Sequence, residues 1–167
     1  KLVLALGGAS YVSTGSDGLW KSKLEAMGHK VEEFVPSLIP LVSDEEWVRS
    51  LQGLSLKNVT LKAEYNGKRL YEELGEMLFT HFGISGPLVL TLSSMLKAYD
   101  FSKLKVYIDL KPGLTYDQLD NRVLRDFKEA GNKTVKNAMV KLLPSRLISA
   151  VIEKSGIDEQ KPVNQLK

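Results

Sequence analysis

The feature that most constrains the fold is a pair of alternating segments joined by Asn66 and Gly67. The upstream segment, "LSLKNVTLKAEY", has apolar residues at every second position, with a one-residue change of phase near residues 57–58. Such alternation is typical of a strand with one buried face, and a change of phase within it predicts a β-bulge. Asn-Gly supplies the two positive-φ residues of a type I′ turn. The sequence therefore predicts an antiparallel hairpin whose return strand runs from Lys68 to about Phe79.

A helical region is predicted after the last strand. The segment "LKVYIDL" at 104–110 alternates, and from Thr115 the apolar spacing changes to that of a helix. "TYDQ" is a capping box that predicts where this helix starts, and Gly131 marks its end. Two shorter helices are predicted at 134–143 and 144–156, divided by a proline.

The chain begins with a different pattern. "KLVLAL" at 1–6 is a nearly continuous apolar run, typical of a buried parallel strand, and it leads into a Gly/Ser/Thr-rich loop at 7–18. A short helix is predicted from about Leu19 to Met27, and "KVEEFV" at 30–35 predicts a second strand. Because the chain starts inside a strand pattern and without Met, we expect it to be a fragment of a longer protein.

The middle of the chain contains a capped helix and a glycine-rich elbow. Ser43 and Glu46 form the pattern of a capping box, which predicts a helix over 43–53. In "THFGISGP", Ser85 is in position to cap a helix that begins near Pro87. We interpret the two glycines of this elbow as residues that allow close packing between an apolar strand and an apolar helix.

Composition excludes several classes of function. The chain has 167 residues, 43% hydrophobic and 26% charged, with a net charge of +3 and no cysteine. This excludes disulfides and thiolate chemistry, and the mixed charges give no cluster typical of a nucleic-acid binder, although the pI of about 9.0 keeps that class as a third alternative. No run approaches the length of a membrane span. We expect a cytoplasmic protein with no membrane or nucleic-acid partner.

Few residues suggest catalysis or metal binding. His29 follows a helix-ending glycine and is interpreted as a turn residue, while His81, in an apolar surround, is interpreted as a packing residue. Two distant histidines without nearby carboxylates do not predict a metal site, and we expect no metal. No G-x-S-x-G is present. The loop at 7–18 lets a ligand approach its backbone and leads to a helix N-terminus that offers amides to an anion, or it is only a tight connection.

Four blocks of sequence resemble a known family. These are the glycine-rich start through "GH" to "PSLIPLV", "GEMLFTHFGISGP", "YIDLKPGLTYDQL" and "NAMVKLLPSRLISAVIEKSGI". In this order they are similar to bacterial FAD-dependent oxidoreductases, the flavoproteins described as aminoacetone-oxidase-like or NAD(P)/FAD-dependent oxidoreductases. The chain departs from the family pattern at Leu6, where Thr is usual, and at Val12, where Pro is usual. The spacing of "TGSDG" is also shorter.

The resemblance implies that the chain is the middle of such an enzyme. It would contain the last part of the first flavin segment and a substrate-side insert, without the early G-x-G-x-x-G. FAD would then belong to the full-length parent, with none bound by this fragment alone, and the catalytic residues stay unknown. The partners expected are the rest of the parent chain and an unidentified small molecule. The residues implied to contact the flavin are Gly7, Gly8, Ser10, Tyr11, Gly15, Ser16 and Gly18.

Together these observations predict an α+β fold in three parts. Residues 1–35 would be a remnant of the FAD-binding domain, 36–112 an antiparallel β insert for which a barrel is one possible form, and 113–167 the helical part of the insert. The expected function is that of a fragment of a flavin-dependent oxidoreductase, inactive alone. The alternative is a non-catalytic module that gates the parent's active site or makes subunit contacts.

Overall fold

The structure is a computed structural model, and it describes residues 1–96 and 99–166. The chain divides into two compact units, Lys1–Pro36 and Ser37–Lys167. None of the helices within the described ranges is long and apolar enough to cross a membrane.

The first unit contains one helix and a short 3-10 turn. The 3-10 turn is Val12–Thr14, and helix α1 is Trp20–Ala26, as predicted. The strands predicted at 1–6 and 30–35 are not formed, and this part of the prediction is wrong. A strand requires a partner for its ladder of hydrogen bonds, and this unit contains none. The apolar side chains of the first segment are therefore largely exposed, as at Val3, which is 87% exposed.

The second unit is built on a five-stranded sheet in which every pair of neighbours is antiparallel. The sheet curls into a half-barrel, and its strand order is β1-β4-β3-β2-β5. The predicted α+β class is confirmed at this level. The strands are β1 (Leu41–Val42), β2 (Ser55–Tyr65), β3 (Lys68–Phe79), β4 (Gly83–Ser85) and β5 (Leu104–Asp109).

The predicted hairpin forms the centre of this sheet. Asn66 and Gly67 have φ of 51° and 75°, and Tyr65 pairs with Lys68, as in a two-residue turn with positive φ at both positions. The register shifts between Leu56 and Val59, which confirms the bulge predicted there. The bulge keeps apolar side chains from both halves of β2 on the buried face.

The described residues of the second unit form five α-helices. They are α2 (Glu46–Ser50), α3 (Pro87–Met95), α4 (Tyr116–Ala130), α5 (Val135–Ala138) and α6 (Ser145–Ser155). Of these, α2 and α3 pack against the sheet. The capping box predicted for α4 is formed in both directions. The one predicted for α2 is wrong: the N-cap is Glu45, and the Ser43 hydroxyl accepts from the Glu45 amide instead. The helix predicted at 134–143 ends early, in a 3-10 turn at Met139–Lys141.

Helix α6 contributes to two apolar clusters. Leu147 and Ala150 belong to the larger cluster, which fills the sheet and its contacts with α2 and α3. Ile148 and Ile152 belong to a second cluster formed with α5 and the end of the chain. Arg146 also donates to the backbone carbonyl of Gln52 at 2.8 Å, so α6 is fastened to the turn after α2.

Candidate functional site

The glycine-rich loop folds largely through its own backbone. The amides of Thr14 and Ser16 both donate to the Tyr11 carbonyl at 3.1 Å, and Tyr11 and Ser16 form an isolated antiparallel bridge. Gly15 closes the turn with φ of 86°. The loop therefore has a defined shape without any ligand, and it brings two of the predicted contact residues together.

A carboxylate of the chain itself already occupies part of the start of α1. The carboxylate of Asp17 accepts from the Leu19 amide at 3.0 Å, and the Lys21 amide donates to the Gly18 carbonyl. An anionic group placed here would meet the Asp17 carboxylate, so electrostatics disfavour it. The Leu19 amide is therefore not available to an anion, and a ligand role for this N-terminus stays a prediction.

The glycines of this loop differ in whether the fold of the unit requires glycine at their position. Gly7 and Gly18 have positive φ, and an added Cβ would lie 3.1 Å from Ser16 Oγ and 3.0 Å from Ala9 Cβ respectively. Gly8 has neither constraint: an added Cβ would meet nothing within 4 Å. Because the unit itself does not require glycine at position 8, this is the loop position that best fits the close approach of an external group.

Sequence reasoning did not single out Trp20 in the same unit. Its indole Nε1 is buried without a hydrogen-bond partner among the described residues, and its ring packs edge-on against Phe34 at 5.5 Å. A buried N–H usually has an acceptor. This unpaired donor is a second feature of the unit, besides Gly8, that contacts among its own residues do not explain. No sequence pattern could reveal it, because tryptophan in an amphipathic helix ordinarily indicates only packing.

The elbow between β3 and α3 is built for close packing. An added Cβ at Gly83 would lie 2.1 Å from the Leu41 carbonyl oxygen, and one at Gly86 would lie 2.9 Å from Met77 Cα. The interpretation of both glycines as packing residues is confirmed. Gly86, not Ser85, occupies the N-cap of α3, so the predicted Ser85 cap is wrong.

The two histidines lie on the surface. His29 follows the helix-ending Gly28 and donates its amide to the Leu24 carbonyl, which confirms a turn residue. His81 is exposed, with its ring centre 4.7 Å from that of Phe82 in a T-shaped arrangement, so its interpretation as a packing residue in an apolar surround is wrong. The chain turns sharply after Thr80, which carries the imidazole out of the apolar surround. No group of three or more potential metal ligands occurs among the described residues.

A cavity of about 670 Å³ opens between the two edge strands of the half-barrel. Its walls are mostly apolar, and polar groups are limited to the segment after β1 and the turn before β5. It was not predicted, because only the curl of the sheet brings β1 and β5 to face each other. Its lining comprises Ile39, Pro40, Leu41, Val42, Ser43, Asp44, Glu45, Trp47, Val48, Ile84, Phe101, Ser102, Leu104, Val106 and Ile108.

Glu45 and Trp47 form a polar junction at one side of this cavity. The Trp47 indole N–H donates to the Glu45 carboxylate, and Lys154 of α6 pairs with the same carboxylate at 3.2 Å. The Lys154 ammonium also lies 5.8 Å from the centre of the Trp47 ring. Two hydrogen bonds lower the pKa of the Glu45 carboxyl: the one from Trp47 has the larger effect and the one from Lys154 the smaller. This carboxylate is therefore held ionised and already paired.

The architecture is that of a barrel-and-helix domain of the α+β class. The chain belongs to the family of the HI0933-like protein barrel and H2TH domain, whose model matches residues 35–167. This agrees with the resemblance found in the sequence at the level of a flavoprotein-family domain.

Curated relatives align with nearly the whole chain. The 3-dehydro-bile acid delta(4,6)-reductase of Clostridium scindens is 27% identical over 100% of the chain and 41% of its own length. The ribosomal RNA dihydrouridine synthase of Haemophilus influenzae is 32% identical over 95% of the chain and 37% of its own length. The Escherichia coli enzyme of the same name is 32% identical over 89% of the chain and 35% of its length. The chain thus spans about two fifths of these relatives.

Proposed function

We propose that the chain is the substrate-side domain of a flavin-dependent oxidoreductase, preceded by a short part of its FAD-binding region. The observation that carries this proposal is the family match over residues 35–167, in a chain that also aligns over its full length with a protein named as a reductase. The cofactor would supply the redox chemistry, and the protein would position it. The 167-residue chain would be inactive by itself.

Within this proposal the glycine-rich loop lies against the flavin of the parent protein. Gly8 carries most weight, because nothing in its own unit explains a glycine there. Ser10 and Tyr11 follow Gly8 in the same loop, and their side chains are exposed and able to contact a bound group. Gly7, Gly15 and Gly18 would act indirectly, since their positive φ holds the shape of the loop.

We further propose that the parent's substrate is a small molecule. The relatives' names leave two classes, a bile acid derivative and ribosomal RNA. Several lysines among the described residues are paired with carboxylates. Lys62 lies between Glu72 and Asp109, and Lys136 pairs with Glu159. Binding of nucleic acid usually relies on clustered Lys and Arg, so this arrangement favours the small molecule.

The first experiment compares the full-length parent with the 167-residue chain. We expect the purified parent to be yellow, with flavin absorbance near about 450 nm, and the short chain to bind added FAD more weakly than about 1 μM. The reason is that the chain lacks the G-x-G-x-x-G helix start that binds the pyrophosphate. A colourless parent that cannot take up FAD would favour the non-catalytic module. Strongly salt-dependent retention of the parent on ribosomal RNA would contradict the small-molecule assignment.

The second experiment tests the loop in the parent protein. Gly8→Ala should weaken FAD binding, because a methyl group would occupy the space where the cofactor approaches, while thermal stability without FAD should be unchanged. Gly113→Ala is a matched control, since that position also has open space and no positive φ. Equal FAD affinity in both variants would remove Gly8 from the proposed contact.

A further inference from the structure

The cavity in the half-barrel has the dimensions of a small-molecule site. Its volume of about 670 Å³ falls within the usual range of about 300–1,000 Å³. Its floor is rigid, because Leu41, Val48 and Ile84 are each at most 8% exposed and belong to the main core. At the mouth, Ile39 and Phe101 are 39% and 57% exposed, so apolar surface remains for an occupant to cover.

An added β-strand fits this gap poorly. Strand β1 is only two residues long, and Pro40 before it has no amide to donate. An added peptide strand could therefore form backbone hydrogen bonds with β5 on one side, but β1 offers too few backbone groups to pair with its other side. A rigid, compact molecule that fills the gap with apolar contacts matches the walls better than an extended backbone does.

The polar groups of the cavity define one end of the ligand. Glu45 is already paired with Trp47 and Lys154. Asp44 is an exposed residue of the cavity lining beside Ser43, and its carboxylate has no ion-pair partner among the described residues. A free carboxylate attracts a hydrogen-bond donor and repels an anion. The ligand should therefore be uncharged and should present an N–H or O–H group towards Asp44.

We propose that the cavity between β1 and β5 binds a compact, uncharged, mainly apolar molecule that donates a hydrogen bond at one end. The site lies wholly within residues 37–167 and its binding requires no flavin. Failure of this inference would leave the oxidoreductase proposal standing, and failure of that proposal would leave this one standing.

The test uses the full 167-residue chain with N-phenyl-1-naphthylamine, an uncharged three-ring aromatic amine with one N–H group, as the probe. The chain has two tryptophans, and only Trp47 lines the cavity. In a Trp20→Phe background the probe should quench Trp47 fluorescence with saturable one-to-one binding. The sulfonated analogue 1-anilinonaphthalene-8-sulfonate should bind at least about tenfold more weakly, because Asp44 repels it. Asp44→Asn should reduce that difference.

Two variants within the cavity and one control outside it test the location. Val106→Phe fills the cavity and should weaken probe binding by at least about tenfold; Val140→Phe makes the same change at a residue 58% exposed outside it and should have no effect. Ile39→Glu, at the accessible mouth, serves the same purpose if Val106→Phe fails to fold. Four results would each overturn the inference: non-saturable binding, unchanged probe affinity in both the Val106→Phe and Ile39→Glu variants relative to the unmodified chain, preference for the sulfonated analogue, or displacement by a β-strand peptide.

Discussion

At the scale of single residues, Gly86 gives the sharpest prediction. Its φ is 95°, and an added Cβ would lie 2.9 Å from Met77 Cα and 3.1 Å from the Leu78 amide nitrogen, both backbone atoms that cannot rotate away. Gly86→Ala should therefore lower the free energy of unfolding by more than the roughly 1 kcal/mol typical of point mutants. Chemical denaturation of the 167-residue chain, without flavin, measures this.

The control is Gly113→Ala, where an added Cβ has open space and φ is not in the left-handed region. Its unfolding midpoint should match that of the unmodified chain. If Gly86→Ala shows the same midpoint while the parent loses activity, the elbow is a binding site and not a packing element.

The role of a single residue could be predicted where its neighbours in the sequence also surround it in the fold. The elbow glycines stand between apolar segments, so their packing role could be inferred. His81 stands among the same residues, but its side chain direction depends on a single turn, and the inference failed. Neither the unpaired Trp20 N–H nor the open space at Gly8 has any trace in the sequence, because both depend on atoms brought close by folding.

At the scale of elements, the β2–β3 turn carries the next prediction. Gly67 has φ of 75°, so Gly67→Val would force a β-branched residue into the left-handed region at a cost of about 1–3 kcal/mol. The melting temperature should fall accordingly. Gly113→Val makes the same change where positive φ is not required. If the two variants have the same melting temperature, the turn at residues 66–67 does not require glycine for its positive φ.

Helix α4 contains a buried carboxylate that should make stability depend on pH. Asp126 is 5% exposed, and the Arg122 Nε donates to it at 2.8 Å. This hydrogen bond, with the charges of Arg122 and Arg125, lowers the pKa of Asp126 in the folded state. The interaction is therefore fully present above the unfolded pKa of about 3.9 and is lost as pH falls through the lower, folded value.

Asp126→Asn should consequently lower the melting temperature at neutral pH and reduce its decline below about pH 4. Asp120→Asn, at an exposed position of the same helix, is the matched control and should follow the unmodified chain. Thermal melts from neutral pH down to about pH 2 provide the comparison. Identical pH profiles for the two variants would show that the Arg122 contact does not stabilise the fold.

Elements with strong local signals were predicted well. The β2–β3 hairpin is determined by alternation and Asn-Gly, and α4 by a capping box and a closing glycine. The strand predicted at 1–6 failed because its signal was apolar content alone, which does not guarantee a pairing partner. The sequence before α2 contains the capping pattern, but Ser43 does not occupy the N-cap. Its amide donates to the Phe82 carbonyl, which holds Ser43 beside β1 and away from the start of the helix.

At the scale of the whole molecule, the sequence identified the class but not the cavity. The order and type of the predicted elements indicated an antiparallel sheet followed by helices. The match of residues 35–167 to a barrel and H2TH domain agrees with this prediction. The cavity depends on how far the sheet curls between β1 and β5, which are about sixty residues apart in sequence. Curl results from the summed twist of all the strands, so no local pattern encodes it.

Helix α6 has a consequence for how the second unit unfolds. Because Leu147 and Ile148, adjacent in sequence, insert into different clusters, opening either cluster displaces the helix from the other, and the two should open cooperatively. Ile152→Ala should thus lower the protection of amides against hydrogen exchange in β2 and β3 as well as in α5, whereas Val140→Ala should not. Loss of protection confined to α5 would mean that the helical cluster opens as an independent cooperative unit, with the sheet intact.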